Sequence, residues 1–279
     1  MNLHQSSDNA CSFITSTHDA IMITLSDEEA LVRLGSTVST DPAPYPSRVV
    51  IPGQYVDLVP LTPEHADALF PIVAQAEHER LWDYMLEFPF NGDRERFNKY
   101  VQGRCSNENN MVFWAIEDKN PAPGSPKVLG LISYLRIDPA NRTIEIGNVM
   151  FSPFLQRSRK SSEVVYLMIS HAFDTLGYRR VEWKCNDLNV PSKRAAIRYG
   201  FTYEGLFRKM FVLKGRNRDT AWFAIIDDDW PQRKAALQTW LSPDNFDPVT
   251  GAQKLSLKEA HAKQGYTVPD SLALPPRPL

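Results

Sequence analysis

Hydrophobic and polar positions change period several times along the middle of the chain, and this pattern predicts a mixed α/β protein. Stretches with a two-residue period, such as Met111–Ile116 and Thr143–Phe151, predict strands. Stretches in which apolar residues recur every three or four positions, such as 165–176, predict helices. The predicted order is β-α-(α)-β-β-β-α-β-α-β-β, which is typical of a mostly antiparallel sheet with one strand–helix–strand crossover.

One of these strands changes phase in its middle. Within Thr143–Phe151, the apolar residues occupy even positions up to Ile146 and odd positions from Val149 onward, with Gly147 between them. A glycine at such a phase break predicts a β-bulge, whose unpaired backbone amides can bind a ligand. A plain kink that lets the sheet splay is the alternative interpretation.

The prolines predict where the folded domain ends. The chain has 21 prolines against 13 glycines, and the prolines cluster at 42–46 and again at 269–278. Such clusters are typical of linkers and tails, because proline lacks a donor N–H and blocks regular pairing. We therefore predict a partly disordered N-terminal arm over 1–47, one domain over 48–241 and a proline-rich C-terminal arm over 242–279. One further helix is predicted around Leu255–Ala262 in the second arm.

A polar, basic turn, Gln156–Ser162, follows the bulged strand and leads into a helix that we expect Ser161 and Ser162 to cap. A helix N-terminus presents unpaired N–H groups and the positive end of the helix dipole, so the turn predicts an anion-binding site. A solvated loop with a serine cap is the alternative. Further along, Asn189 is placed to cap a short helix that ends at Gly200.

Together, the bulged strand, the Gln-led basic turn, the Asn-x-x-Ser helix and the Gly-Phe that ends it resemble the GNAT superfamily of acetyl-CoA-dependent N-acetyltransferases. Within it, the chain is similar to the branch that contains the ribosomal-protein N-terminal acetyltransferases. The resemblance covers about residues 53–232. It implies a GNAT-like fold, in which a mixed, mostly antiparallel sheet flanked by helices has a V-shaped splay at the bulged strand.

The resemblance also implies an activity: transfer of acetyl from the cosubstrate acetyl-CoA to a primary amine, by direct attack in a ternary complex and without a metal. The family's pyrophosphate loop, usually Gln/Arg-x-x-Gly-x-Gly/Ala, falls on Gln156-x-x-Arg159-x-Ser161, where both glycines are replaced. The tyrosine that many relatives use as a general acid would fall on Ala196. The implied acetyl-CoA-binding residues are Val149, Met150, Phe151, Gln156, Arg157, Ser158, Arg159, Lys160, Ser161, Ser162, Asn189 and Ser192.

For catalysis, we expect an amide in the Asn148–Met150 bulge to polarise the thioester carbonyl, and Ser192 to supply the proton to the leaving sulfur. Glu145 and Asp219 are the candidate general bases, and the sequence does not choose between them. Each also has a structural alternative, as a cross-strand partner or an arginine partner.

The acceptor side is predicted from the segment after the first helix. There Trp82 and Tyr84 are candidate substrate-binding residues, together with Asn148 in the bulge. Core packing for the second helix is the alternative for the apolar run that contains Trp82, and it is slightly favoured.

The chain is nearly neutral as a whole, but one part of it is strongly basic. The whole chain has 31 Lys and Arg against 33 Asp and Glu, a formal net charge of -2, which argues against a protein that is basic throughout. Between Arg157 and Arg218, however, there are 14 Lys and Arg against five Asp and Glu. This block suits the phosphates of CoA, and a nucleic-acid footprint is a less favoured alternative because no RNA-reading aromatic motif accompanies it.

The remaining features predict a reduced, cytoplasmic protein. Cys11, Cys105 and Cys185 form no metal-ligand spacing and no disulfide framework, and no leader or membrane-spanning run is evident. The acceptor is expected to be a small-molecule amine or a peptide or protein N-terminus, and the chain a monomer or homodimer. A CoA-binding protein of low or no activity remains an alternative, because the loop glycines and the tyrosine are missing.

Overall fold

The computed structural model describes residues 34–106 and 108–269. Contacts divide the chain into two compact units, 1–40 and 41–279. Of the first unit only 34–40 are described, and they are exposed to solvent. The strands and helices named below belong to the second unit. Cys11 and the terminal parts of both predicted arms lie outside the described residues.

Eight strands form one sheet in the order β1-β2-β3-β4-β5-β6-β8-β7. The strands are β1 (Ile51–Pro52), β2 (Val56–Pro60), β3 (Met111–Asp118), β4 (Val128–Asp138), β5 (Thr143–Phe151), β6 (Arg180–Asn186), β7 (Thr202–Leu213) and β8 (Arg216–Ile226). All neighbouring pairs are antiparallel except β5 and β6, which are parallel. The predicted mixed, mostly antiparallel sheet is confirmed.

The sheet splits where β5 and β6 separate. Their ladder runs only from Thr143–Arg180 to Ile146–Trp183, after which β5 continues beside β4 and β6 beside β8. At the same level the β4–β5 register shifts, and Asn148 has φ of 50°. The shift gives β5 an extra residue, so the bulge predicted from the phase break at Gly147 is confirmed.

Six α-helices surround the sheet in the described residues. They are α1 (His65–Val73), α2 (Arg94–Gln102), α3 (Arg159–Ser170), α4 (Val190–Arg198), α5 (Trp230–Leu241) and α6 (Leu257–Lys263). A π-helical turn, His171–Thr175, extends α3, and short 3₁₀ helices occur at Ala76–Trp82, Glu108–Asn110 and Pro243–Asn245. The predicted capping of α3 by Ser161 and Ser162 is wrong: Ser158 is the N-cap, and its side chain accepts a hydrogen bond from the Ser161 N–H.

Both faces of the sheet are buried, because alternate residues of its central strands point to opposite sides. Trp114 and Ile116 of β3 belong to a large core that includes residues of α3, α4, α5 and α6. Phe113 and Ala115 of the same strand belong to a second core beneath α1 and α2. Over β5, β6 and β8 this second face carries the charged side chains of Glu145, Glu182 and Lys184 together with Trp222 and Ala224.

The two predicted arms contribute to this body where they are described. Ala43, in the first proline cluster, is buried in the large core and its N–H donates to the Pro139 carbonyl. In the C-terminal segment, α6 lies where a helix was predicted, and its residues Leu257 and Ala260 are buried in the same core. The three-part division of the chain stays a prediction.

Candidate active site

A cavity of about 1450 Å³ opens where β5 and β6 diverge. Most of its lining comes from four parts of the chain: the bulged half of β5, the turn and first residues of α3, α4 with the residues at its two ends, and the end of α5 with the segment after it. Trp183 of β6 also lines it. A further contribution comes from Arg80, Leu81 and Tyr84. The splay therefore creates a groove that reaches from the bulge to the N-terminus of α3 and beyond.

The predicted anion-binding turn lies in this cavity. Gln156, Arg157, Ser158, Arg159 and Ser161 all line it. Arg157 has φ of 56°, a left-handed conformation that turns the chain into the helix. Because Ser158 takes up only the Ser161 N–H, the N–H groups of the first two helical residues have no acceptor within the helix and remain for a ligand.

The side chain that replaces the first loop glycine is held to one side. The Arg159 guanidinium lies between two aromatic rings, 4.0 Å from the centroid of Tyr55 and 4.3 Å from that of Phe246. The Tyr55 hydroxyl in turn donates to the Leu241 carbonyl at 3.1 Å. An arginine is therefore compatible with an open loop, because cation–π contacts fix its position.

A buried carboxylate of α3, that of Glu163, holds the backbone around Tyr55 in place. Glu163 is 4% exposed, and its oxygens accept from the backbone N–H groups of Gln54, Tyr55 and Val56 at 2.7, 2.7 and 2.9 Å. Three N–H donors compensate for the removal of this charge from water. Glu163 thereby ties β2 to the helix that begins at the anion-binding turn.

On the other wall, Asn189 caps α4, as predicted, by accepting the Ser192 N–H at 3.1 Å. The Ser192 Oγ accepts from Trp183 Nε1 at 3.0 Å, and all three residues line the cavity. Cys185 is buried beside Ser192, and burial raises the pKa of its thiol to about 11 despite the opposing hydrogen bond from Ser192. At neutral pH this cysteine is therefore a protonated thiol.

The two candidate general bases lie outside the cavity lining. Glu145, 4% exposed, accepts from Arg136 Nη1 at 2.8 Å through both oxygens and lies 2.8 Å from Lys184 Nζ. Asp219 accepts from the Lys209 N–H at 2.7 Å and from the Asn217 side chain at 3.0 Å. The structure thus does not bring these two carboxylates together.

The predicted substrate-binding residues are also separated. Tyr84 lines the cavity, and its hydroxyl donates to the Leu188 carbonyl at 3.1 Å. Trp82 is 1% exposed and packs edge-on against Phe90 and Tyr100, so its side chain belongs to the second core.

Asn148 and two residues of the basic turn point elsewhere. The Asn148 amide donates to Ser133 Oγ at 2.9 Å, outside the lining. Lys160 pairs with Asp118, and Ser162 is buried and accepts from Arg198. The remaining predicted acetyl-CoA-binding residues, namely Val149, Met150, Phe151, Asn189 and Ser192, line the cavity with the turn.

Several lining residues were not foreseen from the sequence. Arg194 and Arg198 belong to the basic block between Arg157 and Arg218, but the sequence did not predict that they line the site. Three more lie near the C-terminus: Trp240 at the end of the predicted domain, and Phe246 and Gln253 in the predicted C-terminal arm. The Trp240 indole donates to the Gln253 side chain at 3.0 Å, which folds this segment over the cavity.

The lining is strongly basic. Among the described residues it contains five arginines and one carboxylate, that of Asp247. The arginines are Arg80, Arg157, Arg159, Arg194 and Arg198. Such a lining attracts a ligand with several negative charges, in particular phosphates. Within the same described ranges, no cluster of three or more His, Cys, Asp or Glu suits a metal ion, and no helix is long and apolar enough to cross a membrane.

Known proteins resemble this chain in sequence and in fold. Residues 56–202 match the family described as an acetyltransferase (GNAT) domain, which is more than half of the chain. A GCN5-related N-acetyltransferase from Brucella melitensis has 41% sequence identity and a TM-score of 0.74, over 80% of this chain and 98% of that one. The predicted resemblance is confirmed.

Curated relatives match over shorter stretches. The ribosomal-protein-serine acetyltransferase of Escherichia coli is 31% identical over 106 residues, 37% of this chain and 56% of the relative. An uncharacterized N-acetyltransferase of Bacillus subtilis is 30% identical over 88 residues, 32% of this chain and 51% of the relative. The chain thus spans little more than half the length of these curated relatives.

Proposed function

The chain belongs to the GNAT family of acetyltransferases, and from this premise we propose that it transfers an acetyl group from acetyl-CoA to a primary amine. The observation that carries the proposal is that a single cavity joins the β5 bulge, the N-terminus of α3 and Ser192. The backbone N–H groups of the bulge can donate to the thioester carbonyl oxygen, and those at the N-terminus of α3 can donate to the phosphates.

The cavity has the size and charge that acetyl-CoA requires. Its volume of about 1450 Å³ exceeds the roughly 300–1,000 Å³ of sites for drug-sized ligands. We assign the pyrophosphate to the first N–H groups of α3 beside Arg157, and the pantetheine arm to residues 149–151. The nucleotide end then falls among Arg159, Arg198 and the segment that contains Phe246.

When bound, acetyl-CoA supplies an activated thioester, and the chain's own groups orient it and handle protons. The bulge amides donate to the carbonyl oxygen, where they stabilise negative charge as it develops. Ser192 has its oxygen already engaged by the Trp183 indole N–H. Its hydroxyl hydrogen, which the Cys185 sulfur accepts in the free chain, can turn into the cavity and pass to a departing thiolate, while the serine oxygen regains through water the proton that the attacking amine releases.

For the acceptor proton, we assign Glu145 through intervening water. A Cβ placed on Gly147 would lie 2.7 Å from Leu135 Cδ2 and 3.6 Å from Glu145 Oε1, so this carboxylate lies beside the bulged strand, next to the Leu135 side chain that packs over the glycine. Asp219, in contrast, is occupied in holding the backbone of Lys209, and we assign it to shaping the β7–β8 hairpin.

The acceptor that we propose is a peptide or protein N-terminus. The E. coli relative is named for acetylation of a serine of a ribosomal protein. An exposed groove that ends at Tyr84 is consistent with an extended chain, and small amines are the competing class.

The experiment measures acetyl-CoA binding by isothermal titration calorimetry and thiol release with a panel of amines and short peptides. We expect micromolar binding, turnover with at least one amine, and a loss of kcat of about 100-fold in Ser192→Ala with an unchanged KM for acetyl-CoA. Ser125→Ala, in an exposed loop, is the matched control. Absence of acetyl-CoA binding would refute the proposal. Binding without turnover would favour the CoA-binding alternative, which is consistent with Ala196, at the tyrosine position, being buried.

A further inference from the structure

A cluster of charged side chains covers the sheet face opposite α3, next to the point where β5 and β6 separate. Lys184 lies 2.8 Å from Glu145 and 2.6 Å from Glu182, while Arg136 pairs with Glu145 and Arg180 with Glu182. Arg180 pairs in addition with Glu204. Each of these cations thus has at least one carboxylate partner.

Arg218 is the exception in this cluster. None of the described carboxylates lies within ion-pair distance of it, and its Nε is buried without a hydrogen-bond partner. Its guanidinium contacts the Phe211 ring at 5.4 Å. Burial lowers the pKa of Arg218, with Glu145 and Cys185 acting in the opposite direction and Arg136 reinforcing the decrease. A desolvated arginine that lacks an anion is costly unless a ligand provides one.

Two further donors without partners follow on the same face of β8. Thr220, 1% exposed, has an unpaired Oγ1, and Trp222 has an unpaired Nε1. Residues 218, 220 and 222 point to the same side because a strand alternates with a period of two. Buried polar atoms are rarely left unpaired, so three in a row mark a strand face whose hydrogen-bonding capacity the described residues leave unsatisfied.

The position of Arg218 links this surface to the proposed reaction. The β6–β8 ladder ends at Asn186–Thr220, so Arg218 lies beyond it, alongside the opened half of the splay. The registers pair Glu145 with Glu182 and Lys184 with Trp222, so the even-numbered residues of β8 share the sheet face of Glu145. Arg218 thus lies on the face away from α3, beyond the end of the β6–β8 ladder. An amine that approaches the bulge from that face passes this guanidinium.

We propose that Arg218 binds a carboxylate of the acceptor, and that the acceptors of this protein are therefore amines that carry a carboxylate close to the amino group. This inference rests on the proposed function and extends it to the substrate class. The carboxylate has two possible sources, the α-carboxylate of a free amino acid and an acidic side chain next to a peptide N-terminus. A guanidinium holds either one through paired N–H donors.

The test compares acceptors that differ only in this charge. The free-acid arm pairs alanine with alaninamide, and the peptide arm pairs Ala-Asp-Ala-Ala-amide with Ala-Asn-Ala-Ala-amide. In at least one arm, we expect the carboxylate to raise kcat/KM by about 10- to 100-fold, the range of a charged hydrogen bond. Arg218→Gln should abolish the preference for the carboxylate without changing the KM for acetyl-CoA. Arg216 is exposed and lies two residues earlier on the same face, so the control variant Arg216→Gln should retain the preference.

A binding measurement makes the test independent of turnover. The acetylated products of all four acceptors are titrated into the CoA-loaded full chain by calorimetry. Tighter binding of the carboxylate member of a pair, lost in Arg218→Gln, would support the inference. Equal binding within both pairs, or a preference that survives Arg218→Gln, would overturn it. Failure of the proposed function is distinct, since it shows as absent acetyl-CoA binding or as product binding without any turnover.

Discussion

Acidification should destabilise the protein through one buried histidine, His261 of α6. Its ring is 0% exposed, and within the described residues neither ring nitrogen makes a hydrogen bond of normal geometry, although the Arg198 carbonyl lies near enough to act on the ring. It lies under Gly200, where a Cβ would come within 2.8 Å of its Cε1, and edge-on to Tyr266. Protonation would place an unpaired charge in this apolar contact, close to the Arg233 guanidinium.

The magnitude follows from the pKa of His261. Burial, reinforced by the Arg233 charge and opposed by the Arg198 backbone carbonyl, lowers this pKa from 6.5 to about 4 in the folded protein. Below pH 6.5 the unfolded chain binds a proton that the folded chain does not, so stability decreases as the pH falls through this window. The expected loss in the free energy of unfolding is about 2 kcal/mol at pH 5 and about 3 kcal/mol at pH 4.

The assay is urea denaturation at pH values between 7.5 and about 4.5, for the wild type and for His261→Leu. Carboxylates also titrate near the acid end, so the informative quantity is the difference between the two pH profiles. The wild type should lose about 2 kcal/mol more than the variant between pH 7 and pH 5. His78→Leu, in a half-buried position, serves as the control for removal of a histidine.

Parallel pH profiles for the wild type and His261→Leu would refute the reasoning, because they would show that this imidazole is either hydrated or already paired in the folded state. A His78→Leu profile that also flattens would assign the effect to histidines in general rather than to burial of His261.

Three further predictions concern the site. Glu163→Gln should lower the free energy of unfolding by about 2 kcal/mol in urea at pH 7, because three backbone N–H groups lose their charged acceptor; an unchanged midpoint would contradict this. Arg159→Ala should raise the KM for acetyl-CoA about tenfold with kcat little changed, and an equal fall in both parameters would argue against a binding role. Gly130→Ala should destabilise by about 1–3 kcal/mol and reduce turnover, because its Cβ would meet the Met150 carbonyl oxygen at 2.2 Å in the bulged strand. Gly205→Ala, with open space at its Cβ, is the control for that glycine and should shift the thermal midpoint very little.

Local features of the chain were predictable because their causes lie within a few residues. The phase break at Gly147 predicted the bulge, and Asn189 predicted the start of α4, since a cap and the N–H it accepts are three residues apart. The cap of α3 was misplaced by three residues, because Ser158, Ser161 and Ser162 are equally suitable cap residues on sequence grounds.

The candidate site was predictable only in part. The amide-bearing segments and Ser192 line the cavity, as expected from the family resemblance. The pairing of Glu145 with Arg136 and Lys184, and the burial of Trp82, were not predictable. An apolar run is compatible with either a binding surface or a core, and packing against other elements decides which.

The sequence by itself determined the order of the strands from β2 to β8 with the helices between them, the bulge and the family, and it predicted an anion-binding turn. These depend on periodicity, caps and short motifs, which act over a few residues. Only the tertiary structure decided that the segment after α5 closes the cavity and that Arg159 lies between Tyr55 and Phe246. It also decided that Arg218 has no carboxylate partner among the residues that the structure describes. Those outcomes depend on contacts between residues far apart in the chain, whose energies exist only once the sheet has brought them together.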